Sequence, residues 1–216
     1  MYCGDRPVVQ ESSIWVTLAK AVPGIVTAVT AIIGVRIAAS GLTRWRQEAI
    51  GKRRVELAED VLADFYEARD IMEAARSPMG FDNEGITREK EDWETARDTP
   101  ILNAYFRTFE RLSNKAEFFA RLGARQYRFV ALFGREAAKP YDEIYKIHRE
   151  ILVAVRMLIT TYQDRREGSL PQDRKTWEKV IGWRPIGEDP ITTRIDLAIG
   201  AMEATSHPII QEAGSK

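Results

Sequence analysis

The longest apolar stretch of the chain lies close to its start. Residues 21–35 read AVPGIVTAVTAIIGV without a charged residue, and apolar residues continue on both sides, at 14–19 and 37–39. With these flanks the stretch is long enough, as a helix, to cross the ~30 Å hydrocarbon core of a bilayer. The pattern therefore predicts a transmembrane helix over residues 13–42, preceded by a short extracytoplasmic tail at 1–12.

Four side chains near the ends of this stretch fit the interfaces between lipid and water. Trp15 and Trp45 would lie about 45 Å apart along a helix, which matches a bilayer with its headgroups, where tryptophan is favoured. Lys20 and Arg36 interrupt the apolar run, and each can extend its charged end towards the nearer interface. We expect these four residues to face lipid or its interface.

Basic residues follow the apolar stretch and predict its orientation. They are Arg36, Arg44, Arg46, Lys52, Arg53 and Arg54, with Glu48 the only acid among them, whereas Arg6 and Lys20 alone precede the run. The positive-inside rule then places the N-terminus outside and the large C-terminal part in the cytoplasm. The five basic residues from Arg44 to Arg54 are also predicted to bind anionic headgroups.

Three other interpretations of the stretch remain open. It could be a cleaved signal peptide, since residues 38–40 loosely resemble a cleavage site, although the preceding residues carry little positive charge and Arg36 lies where a neutral segment belongs. It could be a buried core helix of a soluble protein. A helix lying on the membrane surface fits least, because the run has no polar face.

The rest of the chain has helical periodicity and no competing strand pattern. Residues 43–77 are predicted to form a long juxtamembrane helix with one apolar stripe, which consists of Ala58, Val61, Phe65, Ala68, Met72 and Ala75. Ser77-Pro78 ends this helix, and residues 78–99 read as a polar loop. Residues 100–216 contain further apolar stripes at helical spacing. The predicted fold is all-α, with one N-terminal transmembrane helix followed by a cytoplasmic helical bundle.

Two stretches of the chain resemble known sequences. They read KRRVELAEDVLADFYEARDIMEAARSPMGF at 52–81 and YRFVALFGREAAKPYDEI at 127–144. Both are similar to segments of uncharacterised bacterial membrane-anchored helical proteins. The resemblance implies a helical protein of the bacterial inner membrane and carries no particular activity.

Composition and motifs narrow the classes of function. Lys and Arg total 32, as do Asp and Glu, and this balance is unlike that of a nucleic-acid-binding protein, which is usually basic. Cys3 is the sole cysteine, so no intrachain disulfide forms. With two histidines and no Walker A or G-x-S-x-G motif, we predict no catalytic, metal or cofactor site. His148, within an apolar stripe, is expected to be a hydrogen-bonded core histidine.

Two further features suggest partners. Arg121, Arg125 and Arg128 have spacings of four and three, which place them on one helix face and mark a candidate partner-binding site. Small residues four apart in the apolar stretch, such as Gly24 and Ala28, could let two helices approach closely and form a homo-oligomer.

Three hypotheses of function follow from these observations. The first is a non-enzymatic interaction, scaffold or regulatory protein held in the inner membrane, with membrane lipids and other proteins as partners. The second is a membrane-active effector that forms pores or depolarises the membrane. The third is an enzyme whose scaffold carries none of the motifs named above.

Overall fold

The computed structural model describes residues 12–81, 83–166, 174–182 and 189–214, without the side chains of 12–23, 25, 28, 29, 165, 166, 213 and 214. This part of the chain contains helices and no strand, so the predicted all-α fold is confirmed. The helices are α1 (Ser12–Arg76), α2 (Asp98–Ser113), α3 (Ala116–Phe133), α4 (Lys139–Thr160), α5 (Tyr162–Arg166), α6 (Arg174–Val180) and α7 (Pro190–Gly214), with a 3₁₀ turn at Glu136–Ala138.

Internal contacts divide the chain into two units, Met1–Lys52 and Arg53–Lys216. Helix α1 is 65 residues long and supplies residues to both units. The sequence pattern separated a span from a juxtamembrane helix at residue 42, whereas α1 is helical through that position without a break. The boundary between the two units lies ten residues further on, beside Gly51.

The predicted transmembrane helix at residues 13–42 is not supported. Over the part of the chain that was described above, no helix combines enough length with enough apolar character to cross a membrane.

The second unit is a helical bundle with an apolar core. The predicted stripe of α1 is buried throughout: Ala58, Val61, Phe65, Ala68, Met72 and Ala75 are at most 1% exposed. The ring of Phe65 meets that of Tyr141 on α4 edge-on, with 4.9 Å between the centroids. Fully burying an aromatic or aliphatic side chain of this size stabilises a fold by roughly 1.5–3 kcal/mol. Helix α1 is therefore a central member of the bundle core.

The segment between α1 and α2 is held by arginines of its own and of α2. The guanidinium of Arg111 on α2 donates hydrogen bonds to the carbonyls of Ala74, Ser77 and Met79, at 2.8 to 3.1 Å, and to the carboxylate of Glu84. Ala74 lies in the last turn of α1, where backbone acceptors lack helical partners, and Ser77 directly follows the helix. One side chain thus caps α1 and fixes the start of the following loop.

A buried ion pair orders the second half of the same loop. Arg88 and Glu94 have side chains only 7% and 1% exposed, and their closest atoms lie within hydrogen-bonding distance. The hydrogen bond from Arg88 is the main reason why the pKa of Glu94 falls below its usual value. An ion pair so removed from water resists screening by salt. The charged residues that predicted a loop at 78–99 thus include the ion pair that orders it.

A second buried arginine joins the ends of three helices. Arg76, the last residue of α1, donates to the carbonyls of Val180 and Lys179 at the end of α6, at 2.7 and 3.3 Å. It also forms a two-pronged ion pair with Asp189, at 2.9 and 3.0 Å. The carboxylate of Asp189 in turn accepts a hydrogen bond from the backbone N–H of Ile191, which caps the start of α7.

Glycine is required where α6 approaches this joint. Gly182 has φ +86°, and a Cβ there would lie 2.1 Å from the carbonyl oxygen of Arg76. Any other residue would both strain the backbone and displace the end of α1. The close approach of Gly182 to α1 keeps the guanidinium of Arg76 beside the carbonyls of Val180 and Lys179.

The electrostatics of Asp189 give a pH-dependent prediction. Partial burial raises the pKa of Asp189, but hydrogen bonds from Arg76 and Thr192 outweigh this and hold the pKa at about 2. The ionised carboxylate therefore stabilises the fold above the pKa of the unfolded chain, and this stabilisation is lost as the pH falls towards 2. Asp189→Asn should lower the free energy of unfolding at pH 7, by about 3 kcal/mol because Arg76 is left buried without its anion.

Denaturant unfolding of the full-length chain, followed by circular dichroism from pH 7 to pH 2, measures this effect. Glu136→Gln is the matched control, because Glu136 belongs to an ion pair whose side chains are 65% and 83% exposed. The control should change stability by less than about 0.5 kcal/mol. An Asp189→Asn protein that is as stable as wild type at pH 7, or equally less stable at every pH, would contradict the assignment.

Candidate functional site

Residues 24–50 of α1 form a helical surface that nothing in the described structure covers; we call it the exposed α1 segment. Every residue from 30 to 48 is exposed. The large apolar side chains concerned are 51–70% exposed, and they are Val26, Ile32, Ile33, Val35, Ile37, Leu42, Trp45 and Ile50. Because so many large apolar side chains are exposed on one helix, this segment is a candidate site of contact with another molecule.

The apolar side chains of this segment lie on all sides of the helix. Successive residues turn by about 100°, so that Ile33, Val35 and Ile32 point in directions of about 0°, 200° and 260° around the axis. A helix that pairs with one other helix instead shows a single apolar stripe. The apolar side chains of the exposed α1 segment therefore do not form a single stripe.

Hydroxyl groups in the segment have their hydrogen-bond partners within α1. The hydroxyl of Thr30 donates to the carbonyl of Val26. Those of Ser40 and Thr43 donate to the carbonyls of Ile37 and Ser40, at 2.9 and 2.8 Å. Burying a hydroxyl is costly only when it loses its hydrogen bond. These three side chains therefore tolerate apolar surroundings.

The predicted lipid-facing and headgroup-binding residues are exposed wherever their side chains are described. In the first unit these are Arg36, Arg44, Trp45, Arg46 and Lys52. In the second unit Arg53 and Arg54 are exposed, and the guanidinium of Arg54 lies 5.1 Å from the ring centre of Phe133. The side chains of Trp15 and Lys20 lie outside the described part. Their roles stay predictions.

The three arginines of the predicted partner-binding face have different environments. Arg125 pairs with Asp64 of α1 at 2.6 Å and with Asp60 at 3.4 Å. Arg121 pairs with Glu67 at 3.2 Å and lies 3.9 Å from Asp64. Asp64 is only 4% exposed at its side chain, so these cations neutralise a buried carboxylate.

Arg128, the third of these arginines, is exposed. Partner binding by all three stays a prediction, but two of them also hold α3 against α1. A signal for this second role was present in the sequence. Acids at 60, 64 and 67 have the same spacings, four and three, as the bases at 121, 125 and 128.

His148 lies against an aromatic ring. Its own ring is half-buried, with the centroid 4.0 Å from that of Phe119. Burial lowers the pKa of His148, which favours the neutral form at neutral pH. Among the residues that the structure describes, no three His, Cys, Asp or Glu side chains lie close enough together to hold a metal ion.

Comparison of the chain with protein-family models, curated proteins and solved structures finds no match in any of the three. A function must therefore be argued from the residues described above.

The ion pairs of Arg125 lead to a prediction that separates structure from binding. Arg125→Ala leaves Asp64 buried without its nearest cation, and this should lower the free energy of unfolding by about 3 kcal/mol. Arg128→Ala is the matched control on the same helix, and it should change stability by less than about 0.5 kcal/mol. Chemical denaturation of both full-length variants measures the difference. If both variants unfold at the same denaturant concentration, the structural role assigned to Arg125 is wrong.

Proposed function

We propose that the chain is a membrane-anchored helical interaction protein without enzymatic activity. In this proposal α1 crosses the bacterial inner membrane once, as the sequence pattern predicts for residues 13–42. The N-terminus lies outside, and the bundle of the second unit faces the cytoplasm, where it binds other proteins. The observation that carries the proposal is the exposed α1 segment, which is apolar on all sides and followed by basic residues.

Lipid covers the apolar side chains of this segment more completely than one partner helix does. A single helix would cover one side of α1 and leave Val35 or Ile33, which point in nearly opposite directions, in water. Hydrocarbon surrounds a helix completely and requires that its polar groups be satisfied internally. The hydroxyls of Thr30, Ser40 and Thr43 meet that requirement.

The energies involved are sufficient for stable anchoring. Removing a large apolar side chain from water contributes about 1.5–3 kcal/mol when the side chain starts fully exposed. Six of the exposed apolar side chains lie within the proposed span and start at 51–70% exposure: Val26, Ile32, Ile33, Val35, Ile37 and Leu42. On the order of 1 kcal/mol each is appropriate, and together about 6 kcal/mol. Each base near an anionic leaflet adds about 1 kcal/mol. Arg44, Arg46 and Lys52 are exposed and supply this attraction.

The carboxylates of the bundle with lowered pKa values have structural partners. A carboxyl group that acts as a general acid usually has a pKa that its surroundings raise. Glu84, Glu94 and Asp189 all have lowered pKa values, and in each case an arginine hydrogen bond contributes. The same arginines hold loop backbones or helix ends. Perturbed groups of this kind belong to structural ion pairs.

Membrane fractionation of the full-length chain tests the proposal. After expression in a bacterium, the wild-type protein should stay in the membrane pellet through alkaline carbonate extraction. Ile33→Glu combined with Ile37→Glu should move it to the extract, because two carboxylates in hydrocarbon cost several kcal/mol. Leucine at the same two positions is the matched control and should leave the protein in the pellet. A wild-type protein that carbonate extracts would overturn the proposal.

Cysteine labelling in the same cells measures the orientation of the chain in the membrane. A membrane-impermeant maleimide should label Cys3, the sole cysteine, in intact spheroplasts. In a Cys3→Ser background, a cysteine in place of the exposed Ser113 should react only after lysis. The opposite labelling pattern would mean that the bundle faces outward.

A further inference from the structure

An apolar groove runs between α2 and α4, on the second unit. It encloses about 340 Å³. Its apolar lining includes Phe106, Phe109, Leu152 and Val153, and its charged lining consists of Arg149 and Arg156. Grooves of this volume accept a few large side chains of a bound molecule.

The apolar lining is open to water. Phe109 is 39% exposed and Val153 is 51% exposed. The rings of Phe106 and Phe109 lie 5.2 Å apart, so they form one aromatic surface along α2. Aromatic residues and arginine are the types that contribute most to binding at protein interfaces. The groove combines both types along its length.

The charge of the groove has one sign. Arg149 and Arg156 are both exposed, and among the residues that the structure describes no acidic side chain lines the groove. They are seven residues apart on α4, which is nearly two turns, so their Cα atoms lie on one side of the helix about 10.5 Å apart. Because the two side chains start from one side of α4, their cations can pair with two carboxylates on one face of a ligand.

We propose that this groove binds an amphipathic helix of a partner protein, with apolar side chains inserted between α2 and α4 and two carboxylates seven residues apart paired with Arg149 and Arg156. This inference rests on the proposed function in one respect, namely that the bundle of the second unit is the part that binds other proteins. A helix in a groove between two helices is an established mode of recognition. The two arginines also select for amphipathic helices that carry carboxylates seven residues apart.

A lipid or fatty acid fits the groove less well. An anionic lipid carries its charge at one headgroup, whereas the two arginines are about two helical turns apart. An acyl chain also needs a cavity that encloses it, and Phe109 and Val153 are open to solvent. A partner helix covers such a surface with one face and leaves its polar face in water.

Selection from a displayed library of amphipathic 18-residue peptides tests the inference on the full-length chain. The library varies the apolar face and allows Glu, Lys or Ser at the polar flanks. Enriched peptides should carry acidic residues seven positions apart. Binding of the enriched peptide, measured by calorimetry, should weaken at least tenfold in Arg149→Glu/Arg156→Glu and should be blocked by Val153→Glu. Arg135→Glu, an exposed arginine that does not line the groove, should bind as wild type does.

Charge exchange makes the test specific. The Arg149→Glu/Arg156→Glu variant should prefer a peptide in which the two acids are replaced by lysine, and circular dichroism should show that it retains its helices. Library enrichment without acidic residues, or equal binding by wild type and the charge-exchanged variant, would overturn the inference. So would displacement of the peptide by oleate or by a second copy of the chain. Carbonate extraction tests the membrane anchor, and peptide binding tests the groove. The failure of one proposal can therefore be distinguished from the failure of the other.

Discussion

The exposed α1 segment places the strongest physical constraint on this protein. Eight large apolar side chains between Val26 and Ile50 are half-exposed or more, and they point in all directions from the helix axis. Water is a poor solvent for such a surface. The proposed lipid environment, the orientation and the role of the basic residues all depend on how this surface is removed from water.

Arginine has a recurrent role in the second unit. Arg76, Arg111 and Arg125 each reach from one helix to carbonyls or carboxylates of another element. The guanidinium suits this role because it stays charged and offers five donors in a planar arrangement. These contacts lie at helix ends and between helices, whereas the apolar core fills the centre.

The sequence predicted the features that depend on local periodicity. The spacing of Phe65, Ala68 and Met72 was sufficient to identify the buried face of α1, because a helix places such residues on one side. Ser77-Pro78 likewise predicted where α1 ends. The predicted span at residues 13–42 was not supported, although the apolar character that suggested it is visible in the exposed α1 segment.

Contacts between distant residues could not be predicted in the same way. Arg76 and Asp189 are separated by 113 positions, and nothing in either local sequence indicates the pairing. The groove depends on which faces of α2 and α4 meet, which is a property of bundle topology. Only the arginines of α3 carried a signal, since acids on α1 repeat at similar spacing. Their joint role in structure became apparent once the two helices were placed together.

Spin labelling of the exposed α1 segment distinguishes lipid, water and a partner helix as its surroundings. Single cysteines at successive positions from 30 to 48, in a Cys3→Ser background, carry a nitroxide, and the protein is reconstituted in lipid bilayers. Collision with oxygen, which is concentrated in lipid, is compared with collision with a nickel chelate, which stays in water. If lipid surrounds the segment, oxygen accessibility should be high at every position from 30 to 39, without helical periodicity, and nickel accessibility should rise from Arg44 onward. Nickel accessibility throughout, or protection that repeats every 3.6 residues, would show that water or a partner helix surrounds the segment instead.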